Sequence, residues 1–393
     1  MDDLNFHESL GPGKGPEHVI RPKLHNMQHL SPVVNRFRVV APGLLTTVQD
    51  LGRYGYERFG LSVAGALDDH ALRWANLLAG NRPAQAVLEA TLLGPTLVYE
   101  GAVPVVVALA GADCDATLND RRVALWRSFR LQPGDTLALG SCQHSARMYL
   151  AVRGGFDVPV TLGSRSTDLM GHMGGIEGRA LRAGDELPIR LSEPVNDRGA
   201  PLLALPAELI PTYPDELTVR VVLGPQEGRF TGAALAAFLS ESYTVTPQTD
   251  RMGMRLAGPA LGFAPGTPGA DIFSEGVVTG AIQVPAHGQP IILLAGHQTT
   301  GGYAKIATVI GADLARLGQV RSGNRVRFQP VSVAQAQEAR RAYIATFDSA
   351  RLVVIREEPF PDPVATYKAA WTPQQEEELL KRAGSLGVAE DAL

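Results

Sequence analysis

Short runs in which apolar and polar residues alternate dominate the chain from Phe37 onward. Such runs are typical of half-buried β-strands, and turns rich in glycine and proline separate them. Glycine contributes 42 and proline 28 of the 393 residues, which favours barrels or sandwiches of short strands over long helices. The runs are RVVAPGLL, TLVYEG, VPVVVALAG, ATLND, LALGS, ARMYLAVRGG, LTVRVVLG and IILLA. The pattern therefore predicts a mainly β protein.

A few stretches have helical spacing instead. Asp68–Leu78, with Asp68 or Asp69 as N-cap, and Thr231–Leu239 are predicted to be short helices. Beyond about residue 332 the chain becomes helical and charged, and TPQQEEELLKRAG begins with Thr372 as N-cap and stops at Gly384. We interpret this C-terminal region as a packing or oligomer-contact element, because it carries no reactive constellation.

A tight-turn motif recurs three times and suggests a modular chain. LQPGDTLAL (131–139), LRAGDELPI (181–189) and VRSGNRVRF (320–328) each place glycine and then Asp or Asn before an alternating strand. Chance recurrence of a common hairpin turn is the alternative. The expected boundaries are 1–36 for a flexible N-terminal extension, 37–205 and 215–331 for two related β domains, and 332–393 for a helical C-terminal extension.

Composition excludes several classes of function. With 45% hydrophobic and 19% charged residues and a net charge of −4, the chain is globular and offers no basic field for nucleic acid. Two cysteines, Cys114 and Cys142, form no disulfide framework or metal-binding spacing. Without a run of about 18 apolar residues or a signal-peptide core, we expect a cytoplasmic protein that does not cross a membrane.

The strongest candidate site lies in Ser274–Ile310, where a buried apolar strand (291–295) runs into a polar, glycine-rich turn. We expect this turn to carry Gln298, Thr299, Thr300 and Lys305, and glycines 301 and 302 to let the backbone approach a ligand. The amides, hydroxyls and ammonium offer hydrogen bonds to a carbonyl or carboxylate. Lys305 is the strongest single candidate.

Two further segments end in polar residues, PGLLTTVQDLGRYGYERFGLSVAGALDDHALRWANLLAGN (42–81) and LGSRSTDL (162–169). Their side chains either bind a carboxylate or ureido group or lock the loops, for instance through an ion pair between Asp50 and Arg53. Small hydroxyls in the second segment are typical caps of backbone groups. The residues open to both interpretations are Gln49, Asp50, Arg53, Arg165 and Asp168.

Other reactive constellations are missing from the sequence. The nine histidines have no metal-ligand spacing, and His297, beside the best motif, has no evident partner for a proton-shuttle role. No GxSxG elbow or GxxxxGK[ST] phosphate loop occurs. No biotinyl-lysine motif of the AMKM type occurs either.

The segments 42–81, 162–169 and 274–310 resemble the biotin-dependent carboxyltransferase family, which includes allophanate hydrolase subunit 2 and the C subunit of 5-oxoprolinase. The resemblance extends to four further stretches, LEATLLGPTLVYEG, GGIEGRALRAGDELPI, LGPQEGRF and TDRMGMRLAG. The resemblance covers roughly residues 38–331. It implies a tandem of cyclophilin-like β-barrels. It also implies a cytoplasmic hetero-oligomer in which partner chains resembling the A and B subunits of 5-oxoprolinase (KipI-like) take part.

The resemblance further implies ATP-dependent opening of 5-oxo-L-proline to L-glutamate, an amide or lactam hydrolysis that is active only in the complex. ATP would act through the complex, and biotin would be carried by a partner if it is used. Fixed donors are needed to stabilise an oxyanion at the lactam carbonyl. We assign catalytic roles to Lys305, Gln298 and Arg53, and substrate-binding roles to Gln49, Asp50, Arg165, Asp168, Gln283, Thr299 and Tyr303.

Two alternatives stay open. One is biotin-dependent carboxyl transfer to urea or a related amide, and the other is a KipA-like, non-catalytic regulator of a kinase inhibitor. The chain departs from the family pattern at Ala64 (commonly serine), Thr279 (commonly proline) and Gly296-His297 (often an acidic or arginine pair). These departures bear on the identity of the substrate more than on the fold.

Overall fold

In the residues that the structure describes, the N-terminal half contains strands β1 to β12 and one α-helix. The structure is a computed structural model that describes residues 35–190, 200–348 and 352–355. The strands of this half are β1 (Arg36–Ala41), β2 (Leu45–Gln49), β3 (Val87–Thr91), β4 (Thr96–Glu100), β5 (Val105–Gly111), β6 (Thr117–Leu118), β7 (Arg121–Arg122), β8 (Arg127–Leu131), β9 (Thr136–Ala138), β10 (Arg147–Val152), β11 (Glu186–Pro188) and β12 (Leu202–Ala204).

These strands form two sheets that share one apolar core. One sheet has the order β11-β1-β4-β9-β6-β7, and the other begins β2-β3-β10-β5-β8-β12. Strand β5 is buried on both faces because its alternate residues serve different layers. Val105, Val107 and Leu109 join the core between the sheets, whereas Ala108 and Ala110 pack in a second cluster with helix α1 (Asp69–Leu78). Small residues on the outer face let the helix lie close to the strand.

The C-terminal half, strands β13 to β20, forms a closed barrel. Seven strands run in the order β13-β20-β14-β15-β18-β17-β19, and β19 returns to pair with β13. The eighth strand, β16, adds to β19 outside the ring. The elements are β13 (Glu216–Leu223), α2 (Gly232–Ser240), β14 (Tyr243–Val245), β15 (Gly253–Ala257), β16 (Asp271–Gly276), β17 (Ala281–Val284), β18 (Ile291–Leu293), β19 (Thr300–Val309), α3 (Leu314–Leu317) and β20 (Arg325–Pro330).

The chain then returns to the N-terminal half. Helix α4 (Val333–Asp348) places Phe347 in the cluster around α1, and strand β21 (Val353–Ile355) pairs antiparallel with β12 as the last strand of its sheet. Helix α4 agrees with the helical pattern expected beyond about residue 332, but the described part of this region also contains a strand. The β-branched run Val353–Ile355 favours the strand instead.

The fold predicted from the sequence is confirmed as a mainly β tandem with short helices. Asp68 caps α1 by accepting a hydrogen bond from the Ala71 amide, and Thr231 caps α2 through Ala234. The proposed extension at 1–36 lies almost wholly outside the described residues, as does the helix expected after Thr372. The domain boundaries 37–205 and 215–331 stay our proposal. In the described part of the chain, no helix is long and apolar enough to cross a membrane.

Candidate functional site

The loop after β2 is held in place by the segment 164–168. The Asp50 carboxylate accepts hydrogen bonds from the hydroxyls of Ser164 and Ser166, both at 2.6 Å, and from the amides of Arg165 at 2.6 Å and Gly52 at 2.8 Å. A carboxylate with several fixed donors is a strong crosslink between two loops. Asp50 therefore holds the loop in place, which was one of the two interpretations of the sequence. It does so through hydroxyls and amides, whereas the sequence suggested an ion pair with Arg53.

Arg53 reinforces the same junction from inside. Its side chain is 1% exposed and its Nη2 donates to the Ser166 carbonyl at 2.6 Å, while Nε and Nη1 have no hydrogen-bond partner in the structure. Burial lowers the pKa of Arg53, and the carboxylates of Asp168 and Asp50 oppose that shift. Asp168 in turn accepts from the Ser62 hydroxyl at 3.0 Å, so the far end of the loop is also tied down.

Gln49 and Arg165, two further predicted site residues, each donate a hydrogen bond to a main-chain carbonyl. Gln49 is fully buried and donates to Thr47 Oγ1 at 2.9 Å and to the Thr167 carbonyl at 3.1 Å. Arg165 donates through Nε to the Val158 carbonyl at 2.9 Å. The structure thus brings five predicted site residues together, yet none of them lines either of the cavities described below.

A buried ion network joins the two halves. Glu89, in β3, accepts hydrogen bonds from the Tyr149 hydroxyl at 2.7 Å and the Leu67 amide at 2.8 Å, and it pairs with Arg251 from the C-terminal half. Arg147 Nε lies 3.9 Å from the same carboxylate. The sequence pattern did not single out these residues, although a glutamate inside the apolar run VLEAT and an arginine inside TDRMGMRLAG were signals.

A second set of hydrogen bonds extends this junction to helix α1. Gln319 of the C-terminal half donates to Asp68 Oδ2 at 2.7 Å and to the Arg147 carbonyl at 2.9 Å, and its Oε1 accepts from the Arg147 amide at 2.9 Å. Burial raises the pKa of Asp68. The halves are therefore fixed to each other by groups that water does not reach.

Beside this junction lies a cavity of about 630 Å³ that both halves line. Its volume is within the range of roughly 300–1,000 Å³ that is usual for small-molecule sites. The loop held by Asp50 forms one wall, and the turn after β18 forms another. Its polar or charged lining residues are Tyr54, Glu57, Asp69, Arg73, Thr279, His297 and Arg340.

A smaller cavity of about 210 Å³ lies on the barrel of the C-terminal half. Gln283, Gln298 and Tyr303, three of the predicted site residues, line it together with Asp250 and Arg255. Gln283 is 3% exposed, and its Nε2 has no hydrogen-bond partner in the structure. The turn at 296–299 separates the two cavities, since His297 lines the larger and Gln298 the smaller.

Lys305 is not on this turn, as the sequence suggested, but within strand β19, opposite Gln283 of β17. Glycines 301 and 302 lie inside this strand, and Gly301 faces the Gln283 amide, where a Cβ would collide. Lys305 Nζ is 2.5 Å from Glu275 Oε1 and lowers the pKa of that carboxyl. Thr299 accepts the Val277 amide through its carbonyl at 3.1 Å.

Residues 59–330 match the family described as carboxyltransferase domain, subdomain A and B. The chain belongs to this family. Among carboxyltransferase-family relatives, the C subunit of 5-oxoprolinase from Escherichia coli is 40% identical over 77% of this chain and 94% of its own length. The C subunit from Haemophilus influenzae is 38% identical over 78% of this chain and 95% of its own length.

The chain is also similar to part of a longer protein of known structure. The urea carboxylase of Kluyveromyces lactis matches 84% of this chain with a TM-score of 0.76 and 31% identity, but this chain covers only 30% of that protein. The two bacterial C subunits are thus more similar in sequence and in length. In the described residues, no group of three or more His, Cys, Asp or Glu side chains is placed to hold a metal ion.

Proposed function

We propose that this chain is the C subunit of an ATP-dependent 5-oxoprolinase and takes part in hydrolysing 5-oxo-L-proline to L-glutamate. The observation that carries the proposal is the alignment with the E. coli C subunit, which covers 94% of that protein at 40% identity. The two bacterial C subunits are also more similar to this chain in sequence than the urea carboxylase is, with 40% and 38% identity against 31%.

The substrate would meet the protein at the turn 296–299. This turn has a cavity on each side, and segments of both halves reach it. A lactam has a carbonyl and a ring N–H, and 5-oxoproline adds a carboxylate, so recognition requires donors, an acceptor and a cation. Gln298, Gln283 and Tyr303 supply the first two in the smaller cavity.

Lys305 would supply the cation. It is the one lysine between residues 24 and 367, and its side chain is only 7% exposed. Its partner Glu275 is about half exposed, so the carboxylate of a ligand can replace that of Glu275 without stranding a buried charge. Arg53, Asp50, Gln49, Arg165 and Asp168 would act indirectly, by holding the loop that forms a wall of the larger cavity. Thr299 would fix the turn.

The remaining chemistry belongs, in this proposal, to partner chains in the cytoplasm. The sequence has no GxxxxGK[ST] loop, so ATP would act through the A- and B-like chains. The donors of the smaller cavity also suit a ureido carbonyl, which is the feature that biotin on a partner would present. The chain would then be an enzyme subunit that is active only in the complex.

The test is glutamate release from 5-oxoproline and ATP by the chain mixed with its A- and B-like partners, each component being omitted in turn. Lys305→Met should lower kcat/KM by about 10- to 100-fold, because a charge-assisted hydrogen bond contributes roughly 1.5–3 kcal/mol. Glu275→Gln should retain activity, since it frees the ammonium. Arg341→Met, which removes an exposed charge from α4, is the control and should match the native protein.

Two outcomes would redirect the proposal. Release of glutamate without this chain would exclude it as a required subunit. An inert mixture that instead consumes carboxybiotin when urea is added would favour the carboxyltransferase alternative, for which the likeness to the urea carboxylase is the supporting observation. An inert mixture in both assays would leave the KipA-like regulator, to be tested by binding to the B-like partner alone.

A further inference from the structure

Helix α4 brings a charged residue to the larger cavity, which the two β halves otherwise line. The helix lies beyond residues 59–330, the part of the chain that matches the family. It is fixed to both halves, because Arg340 donates to the Gly311 carbonyl at 3.0 Å and the Tyr343 hydroxyl donates to Asp69 Oδ1 at 2.6 Å. These contacts hold the Arg340 side chain in the cavity wall.

Arg340 is a charge in this wall that has no opposite charge beside it. Asp69 and Arg73 compensate each other, with Oδ2 and Nε 3.2 Å apart, and Glu57 accepts an amide of its own loop at 2.7 Å. Arg340 instead binds a main-chain carbonyl and lies over the ring of Tyr343, 5.1 Å from its centroid. Among the described residues it forms no ion pair. Its guanidinium therefore has donors left for an anion that enters the cavity.

Most of the remaining wall is apolar. Apolar side chains from both halves line the cavity, among them Leu51, Val63, Leu67, Val277, Leu294 and Leu314. Thr279 and His297, which are polar, lie within hydrogen-bonding distance of each other at 3.2 Å, and burial lowers the pKa of His297, so its imidazole adds no second cation at neutral pH. One uncompensated guanidinium in an apolar wall suits a ligand with one negative charge and a hydrocarbon body.

We propose that the larger cavity binds a carboxylate with an apolar body, and that Arg340 is the counterion of the carboxylate. A planar carboxylate can accept two parallel hydrogen bonds from a guanidinium. A phosphate monoester carries a charge of about −1.5 to −2, and a dicarboxylate carries two negative groups, so either would bring a charge that no second free cation balances. This ligand is additional to the lactam, so the inference goes beyond the proposed function.

The experiment is isothermal titration calorimetry of the intact chain with butanoate, hexanoate and octanoate as probes. The Kd should fall by about 4-fold for each methylene added, because the apolar wall removes that group from water. Octyl phosphate, which has the same hydrocarbon chain as the uncharged octan-1-ol, should bind more weakly than octanoate.

Variants test the role of the guanidinium. Arg340→Met should raise the Kd of octanoate by about 10- to 100-fold, since a charge-assisted hydrogen bond is lost, and should change that of octan-1-ol by less than about 3-fold. Arg340→Lys keeps the charge and should recover part of the affinity. Arg341→Met, which removes the neighbouring exposed arginine, is the matched control and should bind both probes as the native chain does.

A variant of the wall tests the location. Val278 lines the cavity and its side chain is 60% exposed, so a tryptophan there can fill the cavity without entering the core. Val278→Trp should weaken the binding of octanoate and of octan-1-ol together. Thermal unfolding would verify that each variant is folded.

Several results would overturn the inference. They are no saturable binding of octanoate at millimolar concentration, an equal Kd for the native chain and Arg340→Met, or binding that Val278→Trp leaves unchanged. Tighter binding of octyl phosphate than of octanoate would refute the choice of a carboxylate. Because binding to the isolated chain is measured without glutamate release, failure of this inference and failure of the proposed function are distinguishable.

Discussion

Replacing Glu89 by glutamine should show how much a buried carboxylate contributes to the free energy of unfolding. Glu89 is 2% exposed and receives the Leu67 amide, the Tyr149 hydroxyl and the Arg251 guanidinium, with Arg147 also nearby. The glutamine keeps the shape but removes the charge, so two buried guanidinium groups lose their counterion. Breaking a buried pair in this way costs about 3–5 kcal/mol, which is the expected fall in the free energy of unfolding.

Glu100 offers a matched control. It too binds two arginines, Arg36 at 3.0 Å and Arg38 at 2.7 Å, but its side chain is 33% exposed. Glu100→Gln should therefore lose no more than about 1 kcal/mol. Urea unfolding followed by tryptophan fluorescence and circular dichroism would measure both variants. Values within about 1 kcal/mol of each other would refute the idea that burial of the interface network decides its contribution.

Two further predictions concern the N-terminal half. Gly174→Ala should lower the free energy of unfolding by more than about 3 kcal/mol, because φ is +71° and a Cβ would collide with the Ser166 carbonyl that Arg53 binds. Gly163→Ala is the control, since φ is +79° but the space around it is open, and it should lower that free energy by only about 1 kcal/mol. Equal losses in urea unfolding would contradict this reasoning. Burial raises the pKa of Cys114 to about 12 and that of Cys142 to about 11. Iodoacetamide at pH 8 should therefore label neither thiol until the chain unfolds. Rapid labelling of the native protein would contradict the packing of these two cysteines.

The site residues proposed from the sequence stay a prediction, and the structure shows which neighbours each of them has. Gln298, Gln283 and Tyr303 line one cavity. Lys305 was expected on a turn and lies in strand β19, in which the lack of a Cβ at Gly301 allows close packing against Gln283. The hydrogen-bond partner of His297 Nε2 could not be predicted, since Thr279 is 18 residues away on another turn.

The sequence by itself determined the local structure. The three glycine turns take positive φ at Gly134, Gly184 and Gly323, and in each the next residue, Asp135, Asp185 or Asn324, accepts an amide from the residue three positions earlier. The caps of α1 and α2 were likewise foreseen. Each of these features depends on atoms a few residues apart, so the chemistry of the residues is sufficient to predict it.

Only the tertiary structure decided how the halves meet. Glu89 and Arg251 pair across 162 positions of the chain, and the larger cavity beside them exists because two separate cores pack against each other. No spacing rule links such partners, since burial selects them after the sheets have formed. The sequence therefore identified candidate polar residues, and the packing of two β cores decided which of them hold loops in place, join the halves or line a cavity.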